Sequence, residues 1–66
     1  MAISYKKLRE LLFNKNIKFK VLEKDTKISH TTLSKINKDE YISLDTLELI
    51  ARYLHVEIGD IVSLKP

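Results

Sequence analysis

Between residues 5 and 54, apolar side chains recur every three or four positions, and no glycine or proline interrupts them. The chain has one glycine, Gly59, and one proline, Pro66. This spacing places apolar side chains along one face of an α-helix, and the scarcity of helix breakers argues against linkers. We therefore expect the 66 residues, 1–66, to form one compact helical domain.

Five helices are expected, joined by short loops that leave no room for a sheet. Ser4, Ser29 and Ser43 are placed to cap three of them through their side-chain oxygens. The predicted helices cover residues 5–15, 19–26, 30–38, 44–54 and 59–64. The expected fold class is therefore all-α.

The charge of the chain is divided unevenly. Residues 1–38 contain ten Lys or Arg and three Asp or Glu, which gives a net charge of +7. Residues 39–66 contain two Lys or Arg and six Asp or Glu, which gives a net charge of −4. A surface with a concentrated positive charge is suited to meeting a polyanion. The N-terminal part is therefore the expected binding side.

Several function classes are not expected. The chain has no cysteine, its two histidines, His30 and His55, lie on different predicted helices, and no glycine-rich phosphate loop is present. We therefore expect no catalytic residues, no metal site, no cofactor and no small-molecule ligand. No apolar run is long enough for a signal peptide or a membrane span, so a cytoplasmic protein without a membrane partner is expected.

The third predicted helix carries a polar and basic strip. If Leu33 and Ile36 point inward, Thr31, Lys35 and Lys38 fall within roughly 50° of the opposite direction. Such a strip can enter the major groove of DNA, although a solvated helix face has the same pattern. Lysines 18 and 20 begin the second helix, where ammonium groups and free backbone N–H groups can hold a phosphate or simply remain exposed.

A longer pattern then resembles a known family. It consists of Leu22, Ile28, Ser29, Leu33 and Ile36, followed by Ser43, Leu44, Leu47, Ile50, Ala51, Leu54, Val56, Ile58, Asp60 and Ile61. These positions are similar to those of the phage-repressor (Cro-like, xenobiotic-response-element) helix-turn-helix family. The resemblance extends from about Ser4 to Val62 without a gap.

The resemblance implies a five-helix, lambda-repressor-like domain with its helix-turn-helix unit at helices 2 and 3, about residues 18–38. It also implies a small bacterial or phage transcriptional regulator that binds double-stranded operator DNA, commonly as a homodimer. The base-facing positions would be His30, Thr31, Thr32 and Lys35. The phosphate contacts that the resemblance implies would be Ser29, Lys38, Tyr41 and Ser43, and the residue chemistry at the start of the second helix adds Lys18 and Lys20.

Residue chemistry suggests individual roles in this reading. Lys35 suits guanine O6 and N7, and Thr31 or Thr32 suits a thymine methyl group or a base edge. His30, if charged, would make binding tighter at acidic pH, and the alternative is a solvated or locally capping histidine.

The sequence departs from the family pattern at four places. Lys27 stands where glycine is common in the turn, Phe19 where glutamine is common, and Glu23 where a small residue is usual. The pair Asp39–Glu40 follows the third helix, where its charge would repel phosphates. These departures keep open an alternative function, a protein-interaction module such as an antirepressor, an antitoxin-like protein or an adaptor.

A candidate dimer face is suggested by apolar residues in excess of those that one small core needs. These residues are Phe13, Tyr53, Val56, Ile58 and Val62. A dimer through them would present two third helices to half-sites about 10 bp apart. The alternative is that these side chains complete the core of the monomer.

Overall fold

The computed structural model describes residues 2–65, so that Met1 and Pro66, the ends of the predicted domain, lie outside the described residues. The elements in chain order are strand β1 (Ala2–Ser4), helices α1 (Lys6–Asn14), α2 (Phe19–Thr26), α3 (His30–Asn37) and α4 (Leu44–Leu54), a 3₁₀ turn (Ile58–Asp60) and strand β2 (Ser63–Lys65). The predicted ranges of α2 and α4 are confirmed, and those of α1 and α3 differ by one residue at one or both ends.

The core lies between the four helices and the 3₁₀ turn. Its buried side chains are Tyr5, Leu8, Leu12, Leu22, Ile28, Leu33, Ile36, Leu47, Ile50, Ala51, Leu54 and Ile61. Leu44, an apolar residue of the family pattern and the first residue of α4, is instead 66% exposed. Helix α4 still contributes four core residues, more than any other element.

The predicted fifth helix and the all-α fold class are wrong. After one 3₁₀ turn the chain becomes extended, and β2 pairs antiparallel with β1 in the register Ala2 with Lys65, Ile3 with Leu64 and Ser4 with Ser63. Ile61 and Val62 are β-branched and favour extended backbone over helix. The decisive partner is at the other end of the chain, so local periodicity could not predict the pairing.

Two serine caps are confirmed. The Ser29 oxygen accepts a hydrogen bond from the Thr32 N–H, and the Ser43 oxygen accepts one from the Thr46 N–H. Ser4 behaves differently, because Tyr5 holds the N-cap position of α1. The Ser4 hydroxyl nevertheless accepts a hydrogen bond from the Lys6 N–H at 3.2 Å.

Four residues other than glycine have left-handed backbone. They are Asn16, Lys27, Asp39 and His55, with φ between 56° and 60°. Asparagine and aspartate, the residues at positions 16 and 39, tolerate this conformation, which ends helices. Lys27 ends α2 and His55 ends α4, and both are residues for which left-handed backbone is costly.

Asp39 joins the loop after α3 to both ends of the chain. Its Oδ1 accepts hydrogen bonds from the Tyr5 N–H and from Arg9, each at 3.0 Å, and its Oδ2 lies 2.9 Å from the Lys65 ammonium. Arg9 also donates to the Ile36 carbonyl at 2.9 Å. This cluster therefore fixes the C-terminal end of α3 against α1 and β2.

Candidate nucleic-acid interface

The helix-turn-helix unit consists of α2, a three-residue turn and α3. Leu22, Ile28, Leu33 and Ile36 are buried and hold the two helices against the core. The turn begins at Lys27, whose N–H donates to the Glu23 carbonyl at 2.8 Å and whose left-handed backbone directs the chain out of α2. The buried residues on one side of α3 leave its opposite side to solvent.

The four predicted base-facing residues occupy the first three positions and the sixth position of α3. His30, Thr31 and Lys35 are exposed, as the helical arrangement predicts. Thr32 is half-buried, and its hydroxyl lies 3.0 Å from the Ser29 hydroxyl. Thr31 and Lys35 are therefore free to meet a base edge, whereas the Thr32 hydroxyl is already engaged at the helix cap.

His30 is close to an acidic residue of α2. Its Nδ1 lies 3.6 Å from the Glu23 Oε1, and the side chains are 83% and 40% exposed. This separation is longer than a hydrogen bond. The pair is an ion pair when His30 is protonated. The sequence did not predict that Glu23 would lie beside His30. The one signal at this position was that Glu23 is larger than the residue usual in the family.

The predicted phosphate-contacting lysines are exposed. Lys18 is the N-cap residue of α2, Lys20 lies in its first turn, and Lys38 is the C-cap residue of α3. Within residues 2–65, none of these lysines, nor Lys35, has its ammonium within 4.0 Å of a carboxylate. Their charges remain available to an external anion.

The remaining predicted phosphate contacts lie at the starts of α3 and α4. The hydroxyl groups of Ser29 and Ser43 serve as caps, as described above, and both residues are exposed. Tyr41, in the loop between these helices, is 72% exposed. The loop thus presents one aromatic hydroxyl beside the N-terminus of α4.

Asp39 does not face the solvent beside α3. Its side chain is 15% exposed, and Arg9 and Lys65 neutralise its charge. The hydrogen bonds from the Tyr5 N–H, Arg9 and Lys65 hold the pKa of this carboxyl far below its usual value of 3.8. The expected repulsion between Asp39 and phosphates therefore has no structural basis, and Glu40 is the exposed acid of the pair.

The residues of the candidate dimer face lie in different places. Val56 and Ile58 line a shallow groove with Ala51 and Arg52, whereas Phe13, 84% exposed, lines another groove on α1. Tyr53, Val56, Ile58 and Val62 all pack partly against the core.

Tyr53 is also tied to α2. Its hydroxyl donates to the Asp25 Oδ2 at 2.6 Å. This hydrogen bond to a carboxylate, together with burial, raises the pKa of Tyr53. The hydroxyl of Tyr53 therefore already has a partner within its own chain.

Residues 2–65 hold no group of three or more His, Asp or Glu side chains that could bind a metal ion. No helix in this range is long and apolar enough to cross a membrane.

Comparison with known proteins agrees with this geometry. The family model of the Cro/C1-type helix-turn-helix DNA-binding domain matches residues 7–66. The crystal structure of the transcriptional regulator VanUg, form II, is 35% identical in sequence and superposes with a TM-score of 0.93, covering 98% of this chain and 87% of that one. A search of curated proteins returns no match. The chain belongs to the Cro/C1-type helix-turn-helix DNA-binding family.

Proposed function

We propose that this protein is a bacterial or phage transcriptional regulator that binds a specific double-stranded DNA sequence and acts by occupying its operator. The observation that carries the proposal is the outer side of α3. Thr31 and Lys35 are exposed there, opposite the buried Leu33 and Ile36. The family membership and the likeness to the transcriptional regulator VanUg support the same function.

In the proposed complex, one group of residues contacts the bases and another contacts the phosphates. Lys35 and Thr31, with His30, meet base edges in the major groove and select the sequence. Lys18, Lys20 and Lys38 contact phosphates and set the register without reading bases. Ser29, Tyr41 and Ser43 supply further hydroxyl groups to the backbone of the DNA. This function requires no catalytic residue.

We further propose that two copies bind together on a two-part operator. The groove beside Val56 and Ile58 is the best candidate for the contact, because apolar side chains there remain half-exposed. Sedimentation at micromolar concentration, with and without DNA, tests this. A monomer that binds a single half-site even at high concentration would contradict the dimer.

Selection of bound duplexes from a random pool at low salt, followed by fluorescence polarisation, tests the function itself. Replacing Lys35 with Ala should weaken binding to the selected site by about 1–3 kcal/mol and leave non-specific binding nearly unchanged. Lys15→Ala is the matched control, since Lys15 is exposed at the C-terminal end of α1, outside the predicted DNA contacts and the proposed dimer groove.

Two results would contradict this assignment. An equal loss on every sequence in the Lys35 variant would make Lys35 a phosphate contact. The absence of binding to any duplex at low salt would overturn the proposed function in favour of a protein-interaction module.

The salt dependence of binding tests the phosphate contacts separately. Each phosphate contact that is lost should reduce the slope of log K against log salt by about one unit. We expect this change for Lys18→Ala and for Lys38→Ala, with the sequence preference retained. An unchanged slope would exclude that lysine from the interface.

A further inference from the structure

We propose that Glu23 sets the hydrogen-bonding state of His30, so that His30 reads one base pair in a pH-dependent manner. This inference rests on the proposed function, and it concerns a residue of α2 that lies outside the predicted contacts. It assigns Glu23 as a positioning residue and His30 as a reader whose preferred base changes with protonation.

The geometry distinguishes the two nitrogens of the imidazole ring. Nδ1 is the one near α2, 3.6 Å from the Glu23 Oε1, a distance that a small side-chain rotation would shorten to a hydrogen bond. Nε2 lies on the other side of the ring, and the His30 side chain is 83% exposed. His30 is the first residue of α3, the end of this helix that faces the bases in the proposed complex.

This arrangement gives His30 two different hydrogen-bonding patterns. In the neutral ring, Glu23 favours a proton on Nδ1, which leaves Nε2 as an acceptor for the amino group of adenine or cytosine. In the protonated ring both nitrogens are donors, and Nε2 then suits O6 or N7 of guanine. The same side chain can therefore favour different bases at different pH.

Glu23 is the acidic residue that lies beside the His30 ring. The cationic residues in this part of α2, the turn and α3 are Lys20, Lys24, Lys27 and Lys35, and none of them has a carboxylate within 4.0 Å in residues 2–65. The other acid of this part of α2, Asp25, is turned toward α4 by its hydrogen bond with Tyr53. Within residues 2–65, Glu23 is the one carboxylate within 4.0 Å of the His30 ring.

DNA binding would strengthen the coupling between the two residues. Phosphates repel an unpaired carboxylate and favour a nearby cation, and solvent screening of the pair decreases when DNA covers it. Proton uptake by His30 neutralises Glu23 and adds a donor at the groove. Binding is therefore expected to be tighter at acidic pH, most strongly on sites with guanine at the contacted position.

The test measures affinity at about pH 5.5 and about pH 7.5 and constant ionic strength, on selected duplexes that differ only at that base pair. A hydrogen bond from a charged donor is worth roughly tenfold in affinity, so wild type should bind the guanine site roughly tenfold tighter at the lower pH. Glu23→Gln should lose most of this gain, and His30→Gln all of it. His55→Asn, which tolerates the left-handed backbone of His55, should keep the full response.

The tautomer of the free protein provides a second measurement. Nitrogen-15 NMR should show the neutral His30 protonated mainly on Nδ1 in wild type and less so in Glu23→Gln. An equal pH response in wild type and Glu23→Gln, or an unchanged tautomer, would overturn the role of Glu23. Wild-type DNA binding without any pH response would overturn this inference alone, whereas no DNA binding at either pH would overturn the proposed function as well.

Discussion

Helices α3 and α4 begin in the same way and serve different purposes. Ser29 and Ser43 have nearly identical backbone angles, φ of −65° and −67° with ψ of 151° in both. Each accepts a hydrogen bond from the N–H of a threonine three residues later, and the two hydroxyl pairs are 3.0 and 2.9 Å apart. The difference between the helices therefore does not come from how they start.

The difference lies in what each helix buries and what it leaves unpaired. Helix α4 has eleven residues, four of them buried, and its exposed Arg52 is paired with Glu48. Helix α3 has eight residues, two of them buried, and its exposed Lys35 has no carboxylate within 4.0 Å in residues 2–65. The longer helix, α4, contributes most to the core. The shorter helix, α3, is held against that core and presents the unpaired Lys35 to solvent.

The largest expected effect is a loss of stability when a buried residue of α4 is truncated. Ile50 of α4 is fully buried, so Ile50→Ala should lower the free energy of unfolding by about 2–5 kcal/mol, because it removes apolar contacts and leaves a cavity. Urea unfolding followed by circular dichroism measures the loss.

If this variant does not fold, Ile50→Val, with an expected loss of about 0.5–1.5 kcal/mol, keeps the prediction measurable. Leu49→Ala on the same helix is the control, since Leu49 is 44% exposed and should cost much less. Equal losses at positions 49 and 50 would contradict this contribution of α4 to the core.

The next effect concerns Asp39, in the loop that separates the two helices. The pKa of Asp39 is lowered on folding, so its stabilising contribution is fully present above 3.8, the value expected for the unfolded chain. As the pH falls below 3.8, the unfolded chain binds the proton first, and this contribution is lost until the pH passes the lowered pKa of the folded state.

Asp39→Asn should therefore be less stable at neutral pH and lose less stability than wild type on acidification. Asparagine also tolerates the left-handed backbone at this position. Urea unfolding between neutral and strongly acidic pH measures both changes. Glu40→Gln, at the adjacent exposed residue, controls for the loss of one negative charge. Parallel pH profiles for wild type and Asp39→Asn would exclude a role of Asp39 in acid sensitivity.

The serine caps allow a direct comparison of α3 with α4. Ser29→Ala and Ser43→Ala should each lower the free energy of unfolding by about 1 kcal/mol, because each leaves a helix N–H without its acceptor. Aspartate keeps the cap and suits the helix dipole, so Ser29→Asp should restore stability while weakening DNA binding through repulsion of phosphates. Restored DNA binding in Ser29→Asp would place Ser29 away from the DNA backbone.

The smallest expected effect is a gain in stability. Lys27, before α3, and His55, at the end of α4, both have left-handed backbone, which glycine adopts without steric cost. Glycine removes the strain of the folded backbone but makes the unfolded chain more flexible, and the first effect is the larger. Lys27→Gly and His55→Gly should therefore each raise the free energy of unfolding by about 0.5–1 kcal/mol. Lys24→Gly, inside α2, should instead lower it by about 1 kcal/mol. Losses in all three variants would contradict the role of backbone strain.

Local sequence predicted the helices well, for a physical reason. Helical periodicity and capping depend on residues three or four positions apart, so α2 and α4 have the predicted bounds and two of the three serine caps were correctly assigned. The exposed positions Thr31 and Lys35 follow from the same periodicity, since the burial of Leu33 and Ile36 fixes the orientation of α3.

Contacts between distant residues were outside the reach of such patterns. Asp39 accepts a hydrogen bond from the Tyr5 N–H, 34 positions away in the sequence. Its charge, which was expected to repel phosphates, therefore instead links the end of α3 to α1 and β2. The pairing of Glu23 with His30 crosses the turn between two helices, whose angle no periodicity specifies.

The sequence by itself thus determined four helices, the serine caps of α3 and α4, and the basic polar strip of α3, because each follows from spacing within one helix. The tertiary structure alone decided that the chain ends form a two-stranded sheet, because each strand has only three residues and needs its distant partner to satisfy its backbone. It also decided that Asp39 is neutralised within the fold and that Glu23 lies beside the first residue of α3, because both depend on how the helices pack.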